Sequence, residues 1–171
     1  MGSAGTALID GLEPAALADE LDTLHAYELV TALWCRAVEN RVAGPALYFL
    51  PDELREQAAT ALEHASLLAD RVAQLGGAVM ANPAQLLQRA HLKGFELPAD
   101  SSDVGSVVRL ALAYQRFGIE AYAEVLQKVA GHDVVSAKLL TEILTRSVAR
   151  EDEMVSSVAG FSAPSTAATG Q

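Results

Sequence analysis

The chain has 171 residues, enough for one domain whose core needs no disulfide or metal to hold it. Its net charge of −10, with no Lys or Arg before Arg36, argues against nucleic-acid binding, which needs clustered cations. The single cysteine excludes an internal disulfide and a thiolate zinc site.

Residues 1–12 are rich in Gly, Ser and Ala and are expected to be flexible. The first long helix is predicted over residues 14–43, its start rich in acids (Glu13, Asp19, Glu20, Asp22) that suit the positive end of a helix dipole. Its apolar seam reads Leu17, Leu21, Leu24, Glu28, Thr31, Cys35, Val38, Val42. These alternating steps of four and three describe the buried stripe of a bundle helix, and they place a carboxylate in its middle. Gly44-Pro45 ends that helix, and a second runs from Pro51-Asp52 to a stop at Gly76-Gly77. The second seam is Leu54, Ala58, Ala61, Ala65, Leu68, Val72, Leu75. Residues 78–102 form a long link with one brief helix, capped by Asn82-Pro83 and carrying Leu86 and Leu87. A third long helix follows over residues 102–130, with the seam Val108, Leu112, Gln115, Ile119, Tyr122, Leu126, Val129. Gly131-His132-Asp133 turns tightly into a fourth helix ending near residue 159. The tail over residues 161–171 is Ser-, Thr-, Ala- and Pro-rich and reads as disordered. The domain therefore spans residues 13–160 as an all-α four-helix bundle, two antiparallel αα-hairpins joined by a long crossover containing a short helix. No signal peptide and no apolar run long enough for a membrane span is present, so a soluble cytoplasmic protein is expected.

With the hairpins antiparallel, the polar residues in mid-helix fall into one layer. The first helix contributes Glu28, the second Ala61 and His64, the third Gln115, and the fourth Ser147 and Arg150. An ionised carboxylate buried there needs a cation or hydrogen-bond donor, or it costs several kcal/mol. Alternatives stay open for each. Glu28 could face solvent if its helix turns by one position, and His64 could be an ordinary half-buried histidine at the seam edge. A backbone group could satisfy Gln115, and Arg150 could reach water past Met154.

The stretch Leu62-Glu63-His64-Ala65-Ser66-Leu67-Leu68 through Leu75-Gly76-Gly77 resembles the Glu-x-x-His-Ala helix of the ferritin-like superfamily, bacterioferritins and Dps-like proteins especially. Tyr27-Glu28-Leu29, Ile119-Glu120-Ala121-Tyr122 and Glu142-Ile143-Leu144 support it, and the resemblance covers about residues 15–159. It implies a di-iron centre held by a carboxylate from each of two helices and a Glu-x-x-His pair from each of the others. Glu28 matches the first carboxylate and His64 the first histidine. The expected Glu before His64 is Ala61, Gln115 stands in place of a carboxylate, and the second pair becomes Ser147 and Arg150.

Glu28 and His64 cannot offset two iron ions alone, and Arg150 would repel them. The expectation is a degenerate site in which Glu28 pairs with Arg150, beside His64 and Gln115. Such a site would bind a small molecule or perform acid–base chemistry without metal or other cofactor. His64 would carry the proton, Glu28 orient it, and Arg150 anchor an anion or carbonyl. Gln115, Ser147, Ala61 and Tyr122 would line the substrate. The competing expectations are iron oxidation and storage as in Dps proteins and bacterioferritins, with Glu28 and His64 as ligands, or a purely structural subunit. The resemblance also implies self-association as a homodimer or larger assembly.

Overall fold

The computed structural model describes residues 4–162, with the side chains of residues 4, 45, 46 and 157–162 left aside, and the expected disordered tail lies almost wholly outside those residues. Six α-helices occur among the described residues: α1 (Ala4–Ala7), α2 (Pro14–Glu39), α3 (Leu50–Gln74), α4 (Leu86–Arg89), α5 (Val104–Val129) and α6 (Val134–Ser162). Short 3₁₀ turns at Gly44–Tyr48 and Pro83–Gln85 complete the structure. Strands are absent among the described residues.

Local chemistry sets the helix ends. Pro14 occupies the first turn of α2, where a missing N–H costs nothing. Asp103 caps α5 by accepting from Gly105 N at 3.0 Å. Asp133 Oδ1 caps α6, accepting from Val135 N at 3.0 Å and Ser136 N at 3.2 Å. Beyond α3 the chain reverses at Gly76, whose φ of 84° is a left-handed value that favours glycine.

Side-chain cross-links give the register. Glu28 meets His64, and Glu39 meets Arg55, so α2 and α3 run antiparallel. Glu28 meets Tyr122 and Glu20 meets Lys128, so α2 is also antiparallel to α5. Glu63 with Arg146 and Arg71 with Asp133 set α3 antiparallel to α6. The crossover carries α4 and covers the outer side of α2. Trp34 Nε1 donates to Glu96 O at 2.6 Å, while Asp22 accepts from Met80 N at 2.8 Å and Arg89 Nε at 2.7 Å. For this reason α2 is buried on two faces, and the run Leu24 to Glu28 is buried throughout.

One expectation changes. The third seam is rotated by about one position: Ala111, Gly118 and Val125 are buried, whereas Leu112, Ile119 and Leu126 are only half-buried. Small residues explain the rotation, because the Tyr27 ring lies where a Cβ on Gly118 would be. Part of the segment before α2 makes hydrogen bonds to the bundle. Gly5 O accepts from Arg71 Nη2 at 3.2 Å, and Asp10 N donates to His132 O at 2.9 Å.

The apolar core is divided. One cluster gathers Leu21, Leu24, Leu68, Val72, Val129 and Leu140; the other gathers Trp34, Val38, Leu54, Val107 and Met154. Between them lies the polar layer.

Candidate functional site

Glu28 is 4% exposed, and the seam that placed it inward also buries Leu21, Leu24, Thr31 and Cys35. Its Oε1 accepts from the Tyr122 hydroxyl at 2.7 Å and lies 3.2 Å from His64 Nδ1. Burial, then the Glu28 charge, push the Tyr122 phenol well above its ordinary value. Tyr122 therefore stays protonated and acts only as a donor to Glu28. His64 is also 4% exposed, and its Nε2 has no hydrogen-bond partner among the described residues.

A cavity of about 280 Å³ opens beside this triad. Its walls include Glu28, Ala61, His64, Gln115, Ser147 and Arg150, the set singled out from the sequence apart from Tyr122. Gln115 Nε2 donates to Ser147 O at 2.9 Å, so α5 and α6 are tied together at this level. Tyr122, expected to contact a ligand, sits behind Glu28 at 1% exposure and is outside the cavity lining.

The expected Glu28–Arg150 pair is not formed. Arg146 is the α6 residue level with His64, 3.5 Å from Glu63, and Arg150 lies one turn further along. There Arg150 reaches Glu53 Oε2 at 3.2 Å, Glu53 O at 3.2 Å and Glu153 at 3.9 Å. These carboxylates are more exposed than Glu28, so the guanidinium keeps part of its hydration.

Sequence reasoning missed several lining residues: Tyr27, Thr31, Gln57, Thr60, Arg146, Ala149 and Glu153. Gln57 and Thr60 precede His64 by seven and four positions, so helical spacing alone could have found them. Also missed was the buried network at the far end of α3. Arg71, 2% exposed, donates to Asp133 Oδ2 at 2.7 Å and Ser136 Oγ at 2.9 Å.

Among the described residues, no group of three or more His, Cys, Asp or Glu is placed to hold a metal ion. The nearby Cys35 thiol is pushed up to about 12 by burial, so it offers no thiolate. Nor is any helix among the described residues long and apolar enough to cross a membrane.

A family model for the ferritin-like domain matches residues 17–160. The chain belongs to the ferritin-like family. Solved structures agree in fold. A dodecameric thioferritin, the bacterioferritin-related protein of Bacteroides fragilis, is 20% identical with a TM-score of 0.81, covering 92% of this chain and 90% of that one. The Dps protein of Vibrio cholerae O1, described as a member of a superfamily of ferritin-like diiron-carboxylate proteins, is 14% identical with a TM-score of 0.80, covering 88% and 93%. Mycobacterium smegmatis Dps is 19% identical with a TM-score of 0.76, covering 86% and 91%. No curated protein matches. At these identities the ferritin-like chain shares the fold with its neighbours, and its chemistry has to be argued from its own residues.

Proposed function

We propose that this ferritin-like protein has lost the di-iron centre and uses the cavity for metal-independent small-molecule binding or acid–base chemistry. One observation carries the proposal. The six positions where the family resemblance expects iron ligands surround a single cavity, yet only Glu28 and His64 are ligand types. Those two already engage each other, and Tyr122 takes the same Glu28 oxygen. One carboxylate and one imidazole do not fit two iron ions, whose charge several carboxylates must offset.

What remains suits proton handling. With Nδ1–H donating to Glu28, His64 has a fixed tautomer, and its Nε2 is left with a free lone pair. Glu28 orients the ring and stabilises it when it gains a proton. Gln115 and Ser147 would position the ligand. Self-association as a homodimer or larger assembly belongs to the same proposal, one structural neighbour being described as dodecameric.

Iron oxidation and storage is the competing reading, favoured by the neighbours that are Dps proteins or a thioferritin. Aerobic Fe(II) oxidation by the purified protein separates the two. The expected result is a rate at the buffer background, identical in wild type and His64→Ala. Rapid oxidation that His64→Ala abolishes would establish iron handling and overturn the proposal.

A further inference from the structure

The cavity does not end at Arg150. A groove of about 660 Å³ continues from it between the start of α3, the start of α5 and the end of α6. Gln57, Arg150 and Glu153 line both spaces. Leu50, Leu54, Val107, Val108 and Met154 wall the groove, and Glu53 and Glu56 stand along it.

We propose that cavity and groove form one site for an amphipathic amine, with a primary ammonium head beside Glu28 and an apolar tail along the groove. This inference rests on the metal-free reading above. Three observations select the head group. Both protein donors to Glu28 reach Oε1, and among the described residues none donates to Oε2, although the side chain is 95% buried. Gln115 gives one amide N–H to the Ser147 carbonyl, and no described residue donates to its own carbonyl. The cations at the mouth are engaged: Arg150 by Glu53 and Glu153, Arg146 by Glu63. Glu28 Oε2 and the Gln115 carbonyl are therefore open acceptors, and the Thr31, Thr60 and Ser147 hydroxyls of the same lining can accept as well as donate.

Charge points the same way. The lining of the two spaces contains Glu28, Glu53, Glu56 and Glu153 against Arg146 and Arg150. An ammonium is attracted and a carboxylate is repelled. The apolar walls supply affinity for a tail that an ammonium alone would not gain.

The test is calorimetric titration of the full chain with n-octylamine, n-octanol and octanoate, and with propylamine as the tail-less control. Octylamine is expected to bind roughly tenfold or more tightly than each of the others. Glu28→Gln should reduce it to the level of octanol. Ala111→Trp, which fills the groove, should weaken octylamine while leaving propylamine unchanged; circular dichroism would confirm that each variant is folded. Gln115→Met gives a second probe of the head site and should weaken octylamine several-fold.

Octanoate binding as tightly as octylamine would overturn the amine assignment without touching the metal-free reading, which the Fe(II) assay tests separately. Octylamine binding that neither Glu28→Gln nor Gln115→Met alters would place it elsewhere on the acidic surface and overturn the inference. Absence of binding by all the probes would overturn it as well.

Discussion

Asp133→Ala will lower the stability of the bundle by about 3–5 kcal/mol, seen as a fall in the urea midpoint with an unchanged slope. Asp133 is fully buried and Arg71 is 2% exposed, so the substitution strands a guanidinium in the interior. It also removes the cap on α6, because Asp133 Oδ1 accepts from Val135 N and Ser136 N. Arg71 further holds Gly5 O and Gln74, so the docking of α1 weakens with it. The pair has a pH signature. Burial raises the Asp133 carboxyl, but the Ser136 and Arg71 contacts outweigh it and hold the carboxyl below its ordinary value of 3.8. A depressed carboxylate contributes stability that is present above the unfolded value and lost as pH falls through the folded one. Wild type should therefore lose more stability than Asp133→Asn as the pH drops below about 4. Equal losses in the two proteins would show that Asp133 is not the group responsible.

His64→Leu will cost about 1.5–3 kcal/mol by leaving Glu28 with Tyr122 as its sole donor among the described residues. The second substitution in this experiment is the informative one. Adding Glu28→Met removes the stranded carboxylate, and replacement of a buried polar pair by apolar residues of similar volume is often neutral. The double variant should recover a large part of the loss, giving a coupling energy of about 1–3 kcal/mol. Additive losses would mean that the two side chains do not depend on each other.

The fold was legible because its signals are local. Seams of three and four, the stop at Gly76-Gly77 and the long link over residues 78–102 each depend on a few neighbouring residues. The inward placement of Glu28 and Gln115 was legible for the same reason, each being a polar residue on an apolar seam, whereas His64 and Ser147 were marked by their match to the Glu-x-x-His spacing. Arg150 was not, because its partner depends on the offset between helices. A shift of one turn along α6 decides whether it meets Glu28 or Glu53, and periodicity within a helix carries no information about that offset. Asp22 and Trp34 belong to the second buried face of α2, which exists only because the crossover lies over it. Arg71 and Asp133 belong to separate helices, and a buried arginine looks like a surface one until its acceptor is known.

The proposed loss of the di-iron centre lies in the ligand positions themselves and not in the fold around them. Anaerobic Fe(II) titration, with bound metal counted per chain, tests it most directly when wild type is compared with a variant carrying Ala61→Glu, Gln115→Glu, Ser147→Glu and Arg150→His. Wild type is expected to hold no iron pair and the variant to gain one. A pair of iron ions on the wild-type chain, lost in Glu28→Gln, would contradict it.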